Sequence, residues 1–565
     1  MSDNAPQFDA IVIGSGITGG WAAKELTERG LKVLMLERGA MVEHGIDYKT
    51  EHMPPWEQPF HGKPPRALYD EQYPVQRRCH AFNEGTRHFF NNDRDNPYAS
   101  DPQGFSWIRA NVVGGRSLLW GRQVYRWSDL DFEANSRDGH GIDWPLRYRD
   151  LAPWYSHVEK FIGVSGQAES LSHLPDSEFL PPMDLNVVER GFKHRIEQGY
   201  PDRCVTHARV AMLTRPHNGR GQCHYCGPCE RGCSAGAYFS TQSSTLPAAR
   251  ATGNLTLKSD CVVEGIDYDP VTRRATGVRV IDANNRRRSA FTARLVFLCA
   301  STIGSTQILL NSRSEQFPNG LANNSGVLGH HLMDHYTGIN GFGMVPGYED
   351  KTIYGWRQAG LYIPRFRNLD DRSQSPDFVR GYGVQGFAFR LGWQSMAAQT
   401  PGFGADFKRA LRQPGPWGIM LIGFGECLPY RDNRIELDFK RPDRFGIPQV
   451  KVHFAWGENE RSIGADFLQQ AGTMLESAGV QGVRMTPNSA VPGMGIHEMG
   501  TARMGDDPTE SVLNRWNQAH DVPNLFVTDG ACMTSSSCVN PSLTYMALTA
   551  RAVDYAAAQL QTGQL

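Results

Sequence analysis

The sequence is short of several features, and each shortage narrows its role. No apolar run among its 565 residues is long enough to cross a bilayer. Neither sign of charge is in excess: 58 basic residues stand against 59 acidic ones, a net of -1. Nothing there favours nucleic acid or an anionic membrane as a partner. The one basic stretch, Arg286, Arg287 and Arg288, reads as an exposed turn tip, because short charge runs are solvated. Internal repeats and low-complexity tails are missing. The first nine residues show no basic region leading into an apolar one, so this polypeptide is expected to carry no export signal of its own. A disulfide framework is also missing. Seven of the 11 cysteines are scattered, at Cys79, Cys204, Cys261, Cys299, Cys427, Cys532 and Cys538, the usage of reduced and often buried thiols. Hydrophobic content of 40% suits a globular protein, and the length allows roughly three to four domains.

The other four cysteines lie within one short segment, as Cys223, Cys226, Cys229 and Cys233. The C-x2-C-x2-C-x3-C spacing brings thiolates together as an iron–sulfur cluster requires. Gly227, Pro228 and Gly232 suit a tight loop around such a group. Both [4Fe–4S] and [3Fe–4S] are compatible, since the fourth cysteine need not bind. Structural zinc is a second reading, although its usual pattern has two well-separated pairs. A set of free thiols is a third. A cluster would give the protein a one-electron exit, whereas zinc would not.

A dinucleotide site opens the chain. Residues Ala10 to Ile13 form a short β-branched apolar run that predicts a buried strand. Gly14, Gly16 and Gly19 follow at G-x-G-x-x-G spacing, then a helical stretch from Trp21 to Arg29 that stops at Gly30, then a strand from Lys32 to Leu36 ending at Glu37. Gly14 permits the tight turn, Gly16 lets the backbone approach a pyrophosphate, and Gly19 lets helix and strand pack closely. The helix N-terminus offers N–H groups and a positive dipole end to phosphates. Glu37 is placed to accept from ribose hydroxyls. The motif by itself does not choose between FAD and NAD.

Four further motifs occur in order. Gly114, Gly115, Arg116, Ser117, Trp120 and Gly121 form a second glycine-rich element. Leu298 to Leu310 contains Gly304, Ser305 and Gln307; His497 to Gly505 reads H-x-x-G-T; Asp529 and Gly530 precede Asn540, Pro541 and Thr544. With the N-terminal fingerprint these resemble the glucose–methanol–choline oxidoreductases, from Asp9 to about Ala552. Within that family the cysteine segment and the G-G-R-S-L-L-W-G and N-P-S-L-T forms are most similar to catalytic subunits of bacterial sugar dehydrogenases, the glucoside 3-dehydrogenases in particular.

The resemblance implies non-covalent FAD, with Gly114, Gly115, Ser117, Trp120 and Gly121 packed near the flavin and Asp529 and Gly530 against its phosphate and ribityl region. It implies a catalytic pair, His497 and Asn540. Asparagine at the second position leaves a single imidazole as base. It also implies a sugar or glucoside substrate oxidised at a secondary hydroxyl, at C3, giving a 3-keto product. A small companion subunit that carries the export signal, a cytochrome c acceptor and a periplasmic location follow from the same likeness. A chain without such a partner would stay cytoplasmic. Oxidation at C1 of glucose or C2 of gluconate uses the same machinery, and an oxygen-using oxidase or a non-catalytic electron-transfer flavoprotein are further alternatives.

The chemistry asks for a base and a fixed orientation while hydride leaves carbon. His497 has the pKa range of a base, and Asn540 can donate to the substrate oxygen. His330, His331 and His335 read as structural histidines, because no carboxylate cluster accompanies them.

The expected fold combines α/β and α+β character. A Rossmann-like FAD domain is discontinuous, over residues 1–42, 104–145, 205–335 and 488–565, with the iron–sulfur loop 222–236 inserted. A substrate domain on an antiparallel sheet takes residues 146–204 and 336–487, and 43–103 form a surface excursion or lid. Arg434 to Asp438 and Gln449 to Phe454 alternate polar and apolar, as half-buried strands do, and are expected in the sheet that roofs the flavin.

Overall fold

A computed structural model describes residues 7–565 except positions 354, 358, 393–395, 398, 399 and 488–490. The first six positions of the expected leaderless N-terminus, and the domain boundary expected at 488, lie outside the described residues.

The chain begins with β1 (Phe8–Ile13), α1 (Ile17–Glu28) and β2 (Val33–Leu36). Ala10, Ile11, Val12 and the whole of β2 are buried on both faces, which explains their unbroken apolar character. β1 pairs in parallel with β2 on one side and with the end of strand Arg288–Leu298 on the other. Strands Leu255–Lys258 and Leu525–Val527 add in parallel to the same sheet. The long strand Arg288–Leu298 changes partner along its length. Its first half runs antiparallel to Arg274–Asp282, which pairs with Cys261–Asp269, and its second half runs parallel to β1. A seven-stranded mixed sheet results.

A second, six-stranded sheet stands over the first, in the order Gln481–Thr486, Tyr336–Val345, Trp417–Gly425, Tyr382–Arg390, Leu361–Ile363 and Thr206–His207. All its pairings are antiparallel. Period-2 alternation sets its two faces. Ile419 and Leu421 are buried in a core with Ile463, Phe467, Met474 and Leu475 of helix Glu458–Ser477. Met420, Ile422 and Phe424 point the other way and line a cavity with Gln385 and Phe387.

The alternating strands Arg434–Pro442 and Pro448–His453 are not part of that roof. They form a separate three-stranded sheet with Ala99–Ser100. Alternation reports a strand with one buried face, not the partner it pairs with. Residues 43–103 fold as turns and short helices apart from the strand Ala99–Ser100. Tyr48, Cys79, Phe89 and Phe90 from this stretch pack with Ile108, Val112 and Leu118, and Cys79, His80 and Phe90 reach the cavity wall. Among the described residues, no helix is long and apolar enough to cross a membrane.

Candidate active site

The cavity holds about 980 Å³ and opens at the carboxyl ends of β1 and β2, where Ile13, Gly14, Gly16, Leu36, Glu37 and Arg38 line it. Crevices at this position of a parallel sheet bind nucleotides. The three glycines do different work. Gly14 has φ +97°, and a Cβ there would lie 2.4 Å from the carbonyl oxygen of Cys299. A Cβ on Gly19 would lie 1.9 Å from the carbonyl oxygen of Gly14, so Gly19 serves helix packing and does not face the cavity. Gly16 is the opposite case, because a Cβ there would meet no protein atom within 4 Å. Its bareness leaves room for something other than protein. Gly115 faces it, with φ +52° and the Cα of Gly16 as nearest neighbour to an added Cβ, at 3.6 Å. The arrangement fits a dinucleotide diphosphate laid on the N-terminus of α1.

Glu37 stands buried at the end of β2, and burial raises its pKa. One oxygen accepts from the Ser15 hydroxyl at 2.6 Å and the other from the Gly39 N–H at 2.8 Å. Carboxylate lone pairs remain for ribose hydroxyls. Asp529 is also buried, is pushed up to about 6 chiefly by burial, and accepts from the Ala531 N–H at 3.0 Å. Asp529, Gly530, Ser117, Trp120 and Gly121 all line the cavity, whereas Gly114 does not. Gly114 has φ +93°, and Gln242 fills the space a Cβ would need.

His497 and Asn540 lie side by side on the cavity wall, the imidazole Nε2 3.4 Å from the amide Nδ2. Each is held from behind. The His497 loop is paired to residues 330–335 by reciprocal backbone bonds between Met333 and Met499, both 2.9 Å. Asp334 accepts from the N–H of Gly495 at 2.9 Å and of His497 at 3.0 Å. Burial, with His335 and Arg116 adding to it, holds the His497 imidazole well below its ordinary pKa, so the neutral, proton-accepting form is favoured. Asn540 is oriented by a chain of amides. Its Oδ1 accepts from Gln385 Nε2 at 2.8 Å, Gln385 Oε1 accepts from Gln123 Nε2 at 2.6 Å, and Gln123 Oε1 accepts from the Tyr125 hydroxyl at 2.6 Å. The Nδ2 donor of Asn540 is thereby turned toward His497 and the cavity. Helix Ser542–Gln561 starts directly behind it, and Ser542 lines the cavity, so a positive dipole end faces the site.

Arg116 ties the glycine-rich loop to the His497 loop. Its guanidinium meets both oxygens of the buried Glu498, at 3.1 and 2.8 Å, and donates to Ser301 at 2.8 Å. Arg116 is partly exposed, but removing its guanidinium leaves the buried Glu498 carboxylate uncompensated. Arg116→Leu therefore lowers stability by about 3 kcal/mol, read as an earlier denaturation midpoint, and adding Glu498→Gln restores part of the loss. Equal midpoints for the parent and the single variant would refute this.

The cysteine segment forms another part of the wall through Gly227 and Glu230. The buried Arg122, lying over the Tyr238 ring at 4.1 Å, donates to the Cys229 carbonyl at 2.8 Å. On the outer side Ser234 N–H donates to Glu51 at 2.8 Å, and Arg231 donates to the Met53 carbonyl at 2.9 Å. The four thiols are neighbours, close enough to influence one another's charge. Cys226 is exposed, while Cys223, Cys229 and Cys233 pack half-buried against Met183, Met212, Tyr238 and Ala359. Burial pushes the Cys229 thiol up to about 12. Among the described residues no three His, Cys, Asp or Glu side chains are grouped so as to hold a metal ion. The iron–sulfur expectation for Cys223, Cys226, Cys229 and Cys233 is therefore not met by this side-chain arrangement. Gly227 (φ +104°) and Gly232 (φ +106°) take left-handed turns within the loop.

The sequence reading missed several residues of the site. Arg116 stood inside a motif already singled out. His335 stood in a histidine-rich run read as structural. Gln123 and Gln385 carry no sequence signal at all.

Sequence profiles of the GMC oxidoreductases match residues 8–337 and 429–549. The chain is 30% identical to a 2-methyl-1,2-propanediol dehydrogenase of Mycolicibacterium austroafricanum, over 98% of this chain and 96% of that protein. It is 27% identical to a fructose dehydrogenase large subunit of Gluconobacter japonicus, over the whole of both chains. It is 25% identical to a gluconate 2-dehydrogenase flavoprotein of Pantoea cypripedii, over 97% and 93%. Its fold matches that of a pyridoxine 4-oxidase from Mesorbium loti, with a TM-score of 0.59 and 15% identity over 98% and 99% of the two chains. With the cradle, the cavity and the His497–Asn540 pair in place, and profiles matching most of its length, the chain belongs to the GMC oxidoreductase family.

Proposed function

We propose that the protein is an FAD-dependent dehydrogenase that oxidises a secondary hydroxyl of a sugar, at C3 of a glucoside, to the ketone. The observation that carries this reading is the His497–Asn540 pair, which faces the cavity that also receives the dinucleotide cradle. His497 Nε2 takes the hydroxyl proton. Asn540 Nδ2 donates to the same oxygen and holds the carbinol C–H in one direction. The roof strands Tyr382–Arg390 and Trp417–Gly425 wall the space above. Bound FAD supplies the acceptor for that hydride. The fructose and gluconate dehydrogenase relatives support a sugar or sugar acid. Phe387, Met420, Ile422 and Phe424 give the cavity an apolar side, which favours as a second reading a smaller, less polar alcohol, as in the name of the propanediol dehydrogenase relative.

The C-x2-C-x2-C-x3-C spacing supports an iron–sulfur cluster as the next electron carrier; the side-chain placement does not, and no transfer step is assigned to it. A companion subunit, a cytochrome c acceptor and co-export to the periplasm belong to the same reading. Of these, the companion subunit is supported by one relative being a large subunit.

Anaerobic addition of methyl glucoside to the flavin-loaded protein tests the assignment. The methyl group blocks C1, so rapid bleaching of the flavin band places oxidation elsewhere on the ring. Bleaching by glucose alone would replace C3 with C1 chemistry, and bleaching by 1,2-diols alone would favour the second reading. Iron and acid-labile sulfide measured on the same sample decide the cluster.

A further inference from the structure

His335 is fully buried, and both its ring nitrogens are engaged. Nε2 meets the backbone carbonyl of Ser537. A carbonyl only accepts, so this nitrogen carries the hydrogen. Burial holds the ring neutral, with its pKa down to about 4. A neutral imidazole with hydrogen on Nε2 has a lone pair on Nδ1, and that atom lies 2.8 Å from Nδ1 of His497. Two lone pairs cannot share that distance, so His497 carries hydrogen on Nδ1 and donates it. Its own lone pair then sits on Nε2, the atom beside Asn540 and the cavity.

The neighbouring charges do not compete for this role. Asp334 is occupied by the backbone N–H groups of Gly495 and His497, and Glu498 by Arg116. The Phe424 ring, 6.2 Å away, offers no polar atom. The group behind the base is thus a neutral imidazole, not a carboxylate.

We propose that His335 is a positioning residue that fixes the tautomer of His497, so that Nε2 is the proton-accepting atom. The proposal rests on the reading of His497 as the base. It assigns a function to a histidine that touches neither substrate nor cofactor.

The test compares His335→Asn, His335→Gln and His335→Leu in the flavin-loaded, full-length protein, by anaerobic stopped-flow reduction with an alcohol the parent oxidises. Asparagine places an amide oxygen where Nδ1 stood and can accept from His497. Glutamine places its amide where Nε2 stood and restores only the bond to Ser537. The Asn variant is expected to stay within about tenfold of the parent, and the Gln and Leu variants to lose roughly 10- to 100-fold. A structural role predicts the reverse order, with Gln rescuing. Equal rates in Asn and Gln, fast or slow, would also overturn the proposal. Flavin content and melting midpoint, measured alongside, identify a variant that fails to fold, and the Asn–Gln comparison stands without the Leu variant. If His497→Ala leaves the rate unchanged, the base reading itself fails. If His497→Ala is slow and the His335 order is wrong, this proposal alone fails.

Discussion

His497→Ala reduces the rate of anaerobic flavin reduction by roughly 10²- to 10⁴-fold, the range by which a positioned base accelerates proton transfer, with flavin content unchanged. The reasoning starts from geometry. His497 is a cavity-wall imidazole whose Nε2 lies beside Asn540 at the cavity, and its backbone is held by Asp334. Removing the ring also takes away its bond to His335 but leaves that backbone bond in place, so the loop keeps its course, and flavin content checks that the loss lies in chemistry. Asn540→Leu is the companion measurement. It removes the donor at the end of the Tyr125–Gln123–Gln385 chain and lowers the rate by roughly the 10²- to 10³-fold seen when one donor to a reacting oxygen is lost. A His497→Ala variant that keeps more than a tenth of the parent rate would end the assignment of His497 as base.

Gly16→Val abolishes flavin binding while the chain still folds. Gly16 sits at φ −67° and ψ −163°, a conformation open to valine. An added Cβ meets no protein atom within 4 Å. The new side chain therefore stands in the space the cofactor diphosphate would take, and the protein purifies colourless. Its melting midpoint matches that of parent protein stripped of flavin and falls below that of loaded parent, because a ligand bound only to the folded state stabilises it. Gly19→Ala is the control. Its Cβ would lie 1.9 Å from a carbonyl oxygen of the turn, so both folding and flavin binding suffer. A yellow, fully loaded Gly16→Val protein would show that the cofactor lies elsewhere in the cavity.

Much of the cofactor cradle was legible before any coordinates. Ala10 to Ile13 had to be a strand buried on both faces, and glycine spacing with Glu37 at the end of β2 told the rest, because each residue has a local steric or hydrogen-bonding reason. His497 and Asn540 were legible through motif resemblance. His335 was not. Its meaning depends on the Met333–Met499 pairing, which brings two segments together across 162 residues and leaves no local pattern in either. Gln123 and Gln385 were hidden for the same reason, as amides are common and only their alignment on Asn540 gives them a role. The strands at 434–442 and 448–453 were found, but their neighbour Ala99–Ser100 was not, since two residues carry no periodicity. For the cysteines, spacing was legible, but spacing alone does not set ligand geometry, and among the described residues no group that could hold a metal ion is formed.

The bonds that complete the site join segments far apart in the chain, with separations of 262 residues for Gln123 to Gln385, 155 for Gln385 to Asn540 and 202 for His335 to Ser537. Contacts this non-local are the last to be rewarded as a chain collapses. The reactive pair is then not a property that any half-made form of the protein possesses. His497 meets His335, and Asn540 meets Gln385, only when segments far apart in the chain have come together, so the geometry of the pair is a property of the closed topology and of no single segment.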